Sequence, residues 1–126
     1  MQAANDIKLS LSNENIQFNT DPALLIRVLI NMVKNAFEAK NQLPEITIGC
    51  YHSNGSVAFF VNNHAYIEEQ YAKCIFQPMF STKGTDRGLG TYSIRLIGEN
   101  YLKGKVWFKT NRDSGTTFTI EVPVNV

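Results

Sequence analysis

The chain has 126 residues, 44% of them hydrophobic and 18% charged, with a formal net charge of +1. This size supports one domain with a real core and is too small for two, and the composition is that of an ordinary globular protein. The near-neutral balance excludes a dedicated nucleic-acid surface, which needs clustered Lys and Arg; no apolar run approaches the roughly 18 residues of a membrane span, and the polar start M-Q-A-A-N-D is no secretory leader. Ile7, Leu9 and Leu11 alternate with polar residues and predict a strand, and Ile16 and Phe18 repeat the pattern after S-N-E-N. Asp21-Pro22 supplies a helix N-cap and first-turn proline, so a helix is predicted from there to about Lys40, with Pro44 beyond its end. Glu45 to Tyr51 and Ser56 to Val61 flank H-S-N-G and predict a β-hairpin with Gly55 in the turn. Residues 62–90 predict a long connection with one short helical piece, Glu68 to Cys74, and then Pro78, Gly84, Gly88 and Gly90; connections of that length are usually lids or binding loops. Thr91 to Tyr101 predicts a helix with Ile94, Ile97 and Tyr101 on one face. Gly104 to Lys109 and Thr116 to Val124 predict a closing strand pair around N-R-D-S-G. Hairpin strands with two or three helices imply an α+β two-layer sandwich, with no repeat or linker to divide residues 1–126. Cys50 and Cys74 lack metal-ligand spacing and read as reduced thiols, which suits a cytoplasmic setting.

The most informative run is N-M-V-K-N-A-F-E-A, Asn31 to Ala39. Residues four apart share a helix face, so Asn31, Asn35 and Glu38 form a polar stripe, with Arg27 one turn earlier, on a helix that is otherwise largely apolar. Asn costs roughly 0.5–0.7 kcal/mol against Ala inside a helix, so two in one stripe need a reason. Asn carbonyl oxygens suit hard cations such as Mg²⁺, which usually travel with substrate phosphates. The competing reading is a thin solvated edge of a core helix.

The second informative run is S-T-K-G-T-D-R-G-L-G, Ser81 to Gly90. Glycines let backbone N–H groups approach an anion, and the start of a helix adds partial positive charge. Lys83 and Arg87 can neutralise phosphate oxygens. A glycine-rich loop alone is more often a flexible turn, but behind a helix carrying two facing asparagines it points to phosphate binding.

With these motifs the chain resembles, from about Ile16 to Pro123, the ATP-binding catalytic domain of sensor histidine kinases, whose fold is shared with gyrase B, MutL and the ninety-kilodalton heat-shock chaperone. Asn31 to Ala39 resembles the N-box, which implies that Asn35 holds Mg²⁺ and Asn31 lines the phosphate site, with Glu38 beside Asn35. Gyrase-like relatives carry a catalytic Glu in the place of Asn31, so Asn there implies kinase rather than hydrolase chemistry. I-F-Q-P-M-F-S-T-K, Ile75 to Lys83, resembles the F-box, with Phe76 and Phe80 as its aromatics and Lys83 reaching toward phosphate. Arg87, Gly88, Leu89 and Gly90 resemble the second glycine box, which with Gly84 implies an ATP lid. G-T-T-F, Gly115 to Phe118, resembles the late motif whose Thr, here Thr117, lies near adenine. Asp86 replaces the usual leading glycine of the second glycine box, and a larger departure lies upstream. The Asp-x-Gly-x-Gly box, whose Asp accepts from the adenine amino group, is here V-N-N-H-A-Y-I. Counting back from Ile67 puts Asn62 in the Asp position and His64 and Tyr66 in the glycine positions; a slip of one residue makes Asn63 the adenine contact. A neutral amide gives a weaker bond than a carboxylate, which implies nucleotide affinity reduced by around tenfold.

The resemblance implies a two-layer sandwich of the histidine-kinase ATPase (Bergerat) type, with a mixed sheet and helices on one face. It implies a module excised from a longer chain, with any membrane anchor outside residues 1–126, using ATP and Mg²⁺ to phosphorylate a histidine on a separate dimerisation domain that in turn serves a response regulator. Neither His52 nor His64 fits as the acceptor; both read as structural or surface residues, and Trp107 reads as packing. Two other functions stay open: a scaffold of the same fold that has lost nucleotide binding, and an anti-sigma-type kinase acting on serine.

Overall fold

Asp21 caps the long helix as its sequence dictates, its Oδ1 accepting from the Leu24 backbone N–H at 3.1 Å. The computed structural model describes residues 7–10, 20–38, 46–76 and 85–124. Within it, β1 is Ile7–Ser10, α1 is Pro22–Glu38, β2 is Ile46–Ser53 and β3 is Ser56–Asn63. A short α2, Glu69–Ala72, precedes α3, Thr85–Leu96, which runs into a π-helical turn, Ile97–Tyr101. Two strands close the chain, β4 at Lys105–Asn111 and β5 at Gly115–Pro123. The predicted strand at Ile16 and Phe18 and the end of the long helix beyond Glu38 lie outside the described residues.

The strands form one mixed sheet in the order β1-β2-β3-β5-β4. β1 runs parallel to β2, and the other neighbours are antiparallel. Strand alternation divides the sheet into two faces. Ile46, Val61, Val106, Phe118, Ile120 and Val122 pack against Leu25, Val28, Met32 and Ala36 of α1, Ile94 of α3 and Ile97 of the π-helical turn. Each fully buried side chain of this size contributes about 1.5–3 kcal/mol, so this one layer of contact carries most of the fold. Tyr51, Phe60, Trp107 and Thr119 line a shallow groove on the opposite face, where Trp107 is half-buried.

The structure corrects two boundaries. The hairpin turn is the pair Asn54-Gly55, with φ of 39° and 81°, rather than the four residues H-S-N-G. Asn-Gly is the pair that tolerates two positive φ angles in a tight hairpin, and such a turn matches the twist of the flanking strands, so His52 and Ser53 stay in β2. The long connection is also shorter than predicted, because α3 starts at Thr85 rather than Thr91. Thr and Asp at 85 and 86 are residue types that open helices, and extension of a helix that is already packed adds a hydrogen bond per residue. That offsets the cost of about 1 kcal/mol for each of Gly88 and Gly90.

The π-helical turn is held close to the sheet by glycine. A Cβ on Gly98 would lie 2.5 Å from Val106 Cγ2 and 3.0 Å from Ile120 Cδ1. The Gly98 carbonyl accepts from the Gly104 N–H at 2.8 Å, so the turn leads directly into β4. Cys50 and Cys74 are both free thiols.

Candidate active site

The site is built where α1 lies against the end of the sheet. Leu25, Val28, Met32 and Ala36 bury one face of α1, and that packing fixes its rotation. Asn31 and Asn35 are thereby held half-buried on one flank. The side-chain nitrogen Nδ2 of Asn35 is buried and has no hydrogen-bond partner among the described residues. A buried polar group left unpaired costs about 1–3 kcal/mol, and native proteins seldom keep one without a use. The amide carries a nitrogen donor and, at its other end, a carbonyl oxygen. That donor set fits a phosphate oxygen and a hard cation side by side, so these residues suit a magnesium-bound phosphate. Glu38 ends α1, and its side chain lies outside the described residues, as do Phe80, Lys83 and Gly84. Arg87, Gly88, Leu89 and Gly90 fall in the first turns of α3, a helix that packs beside α1.

The two asparagines of the altered box lie on opposite faces of β3. Asn62 pairs with Thr117 in the β3–β5 ladder, and Asn63 pairs with Thr116. Asn62 donates from Nδ2 to Thr117 Oγ1 at 2.9 Å, and to the Ser114 and Thr116 carbonyls at 3.1 and 3.3 Å. Thr117 lines the groove on the open face, so Asn62 and Thr117 meet each other there, turned away from α1. Alternation of side chains puts Asn63 and Thr116 on the helix face instead, where they are 5% and 2% exposed. A shift of one residue along a strand exchanges its faces, and Asn63 with Thr116 is the pair on the side of the asparagine stripe.

Sequence reasoning did not foresee what anchors this corner. Asn63 Oδ1 accepts from Ala65 N–H at 2.8 Å, and Thr116 Oγ1 reaches the Ala65 carbonyl at 2.8 Å. Thr110 Oγ1 accepts from Ile67 N–H at 3.0 Å and lies 2.7 Å from Thr116 Oγ1. Residues 63–67 are thus latched to β4 and β5. The Tyr66 ring sits under the Arg112 guanidinium, 4.4 Å away, so it is engaged by the β4–β5 turn, and His64 is exposed. The cross-strand pairing of Thr110 with Thr116 was recoverable from the hairpin around N-R-D-S-G, had that turn been read as a register.

The connection after α2 is pinned by aromatic contacts. Phe76 meets Phe108 and Phe118 edge-on, at centroid distances of 5.7 and 5.9 Å, and those two rings stack at 5.3 Å. Arg95 of α3 lies 4.9 Å over the Phe76 ring and pairs with Glu99 at 3.2 Å. The first aromatic of the Ile75–Lys83 run is therefore a packing anchor that ties this connection to α3.

Comparison with known proteins identifies the family and the fold. The family described as histidine kinase-, DNA gyrase B- and HSP90-like ATPase matches residues 20–126. The chain is 34% identical over 128 residues to the signal transduction histidine-protein kinase AtoS of Escherichia coli strain K12, an alignment covering 99% of this chain and 21% of AtoS. Its structure matches the catalytic domain of histidine kinase ThkA with a TM-score of 0.83 and 35% identity, over 96% of this chain and 81% of that one. It also matches ThkA in complex with the response regulator protein TrrA, with a TM-score of 0.76 and 32% identity, over 94% of this chain and 34% of that one. The chain spans about a fifth to a quarter of the length of the curated relatives AtoS and ZraS.

Proposed function

The chain belongs to the family of histidine kinase-, DNA gyrase B- and HSP90-like ATPases and is a catalytic domain of the sensor histidine kinase type, and from that premise we propose that it transfers the γ-phosphoryl group of Mg-ATP to a histidine on a dimerisation domain of its parent kinase. The phosphorylated histidine would then serve a response regulator, a partner class met in the ThkA complex. A cytoplasmic location suits this reading, and no described helix is long and apolar enough to cross a membrane.

The buried, unpartnered amide of Asn35 carries the reading. A domain kept only for docking has no use for such a group, whereas a phosphate site does. Asn35 would hold the metal and a phosphate oxygen, and Asn31, one turn earlier, would line the triphosphate. When bound, magnesium would neutralise phosphate charge and polarise the transferring group. Phosphoryl transfer asks little covalent chemistry of the protein, and most of its catalysis is positioning and charge stabilisation. Lys83 and Arg87 would offset charge on the phosphates, and residues 84–90 would cover them. Asn63 and Thr116 would face the base, in place of Asn62 and Thr117.

The acceptor is tested on the parent kinase carrying the upstream dimerisation helices, incubated with ATP labelled at the γ-phosphate. The label is expected on protein in a form stable to base and lost in mild acid, as phosphohistidine is. Acid-stable label would show a serine kinase and overturn the histidine assignment.

A further inference from the structure

The open face of the sheet carries its own arrangement of chemistry, turned away from α1. Tyr51 of β2, Phe60 of β3, and Trp107 and Lys109 of β4 line a groove there of about 400 Å³, together with Asn111 and Thr117. The Tyr51 and Phe60 rings lie 6.2 Å apart between centroids. Phe60 and Trp107 flank Thr119 in one cross-strand row, and Thr119 is 5% exposed, so little polar surface interrupts this aromatic floor. The other end of the groove is built from donors. Asn111 Oδ1 accepts from Ser114 N–H at 2.7 Å and from Ser114 Oγ at 2.9 Å. Those contacts fix which end of the amide is oxygen, so its nitrogen is left to donate. Thr117 Oγ1 accepts from Asn62 at 2.9 Å, which leaves the hydroxyl proton unspent among the described residues. Lys109 is exposed and forms no ion pair among the described residues. It stands opposite Thr117 in the β4–β5 ladder and two residues from Asn111. The acid on this face of β5, Glu121, pairs in register with Lys105, about 13 Å along the strand from Lys109. Asp113 lies in the exposed β4–β5 turn.

We propose that this groove is a second ligand site, separate from the nucleotide site, for a small aromatic ring carrying a carboxylate on a short tether. The aromatic floor takes the face of the ring, an arrangement that aromatic pairs favour. A carboxylate only accepts hydrogen bonds, and Lys109, Asn111 and Thr117 supply donors alone. The bond from Lys109 is charge-assisted, roughly twice as strong as a neutral one. Trp107 and Lys109 are two residues apart on one strand, about 6.6 Å. That is close to the reach from a ring centre to a carboxylate on a two-carbon tether. The size of the groove favours a small molecule over a protein. Small-ligand sites occupy about 300–1,000 Å³, whereas specific protein interfaces bury more than about 1,000 Å². On β4 and β5 the aromatic row is bounded by Glu121 with Lys105 on one side and Thr117 with Lys109 on the other, so the apolar floor does not extend along these strands as a protein partner would need.

Trp107 is the chain's one tryptophan, so its fluorescence reports on this groove directly. Titration of this chain with 3-phenylpropionate should change that fluorescence saturably, with a midpoint of about 1 mM, as suits a ligand of this size. The neutral amide, 3-phenylpropanamide, and the ring-free butanoate should each bind at least about tenfold more weakly. Lys109→Gln should weaken the carboxylate by about tenfold and leave the amide unchanged, while Tyr51→Ala should weaken both. Saturating magnesium and a nonhydrolysable ATP analogue should leave the titration unchanged. Equal binding of acid and amide, a response that does not saturate, or no effect of Lys109→Gln overturns the inference. Displacement by the ATP analogue would put the ligand in the nucleotide site and overturn it too. An acidic peptide carrying one phenylalanine that binds where 3-phenylpropionate does not would make this face a protein-docking surface, which also overturns it. None of these outcomes bears on the kinase reading, which stands on α1.

Discussion

Asn35→Ala is expected to lower Mg-nucleotide affinity by about a hundredfold or more and to leave the domain at least as stable as before. The proposed ligand role makes the two effects point in opposite directions. Its Nδ2 is buried without a partner among the described residues, so removing it relieves an unpaired polar atom, a gain of about 1 kcal/mol or more. Alanine also favours the helix over asparagine by roughly 0.5–0.7 kcal/mol. Set against this, groups one layer out from a metal typically cost 10- to 100-fold when mutated, and a direct ligand should cost no less. Thermal unfolding and calorimetric titration of the same variant check both halves. A variant that loses stability while keeping its affinity would make Asn35 a packing residue.

Gly115→Ala is expected to cost about 3 kcal/mol, the sum of a left-handed backbone penalty of about 1 and an overpacking penalty of about 2. Gly115 has a φ of +82°, and a Cβ there would lie 2.0 Å from the Asn63 carbonyl oxygen and 2.6 Å from His64 Cα. Those are backbone atoms, so β5 would have to part from β3 where Asn63 and Thr116 are latched. Melting temperature should fall by about 10 °C for a domain of this size, and nucleotide affinity should fall with it. Gly55→Ala is the control, because Gly55 has a similar φ of +81° but nothing within 4 Å of the added atom. It should cost only the backbone share, about 1 kcal/mol. Equal losses in the two variants, measured by denaturant unfolding, would show that the close approach of β5 to Asn63 is not a constraint.

Local chemistry made much of this architecture legible. Asp21-Pro22 marks the start of α1, Asn54-Gly55 makes the hairpin, and alternation of Phe118, Ile120 and Val122 with polar residues marks β5. These signals are contained within a few residues. The sheet order was not legible, because the parallel pairing of β1 with β2 across α1 depends on contacts far apart in sequence. The start of α3 was missed because glycine was read as a breaker, and its cost is small beside that of abandoning a packed helix. In the site, the stripe of Asn31 and Asn35 followed from helical period alone. Which asparagine of the altered box lies on the helix face did not, since alternation gives the period of a strand but not its phase. Counting back from Ile67 puts Asn62 in the Asp position, whereas alternation along β3 puts Asn63 on the helix face, and one residue decides the face.

The central claim is that the paired amides of α1 grip a magnesium-bound triphosphate. It is tested most directly by calorimetric titration of this chain with a nonhydrolysable ATP analogue, with and without magnesium. One nucleotide should bind per chain at submillimolar concentration, and chelating the magnesium should weaken that binding sharply. Absence of both heat and thermal stabilisation at millimolar nucleotide in magnesium buffer would contradict the account and leave the fold as a scaffold alone.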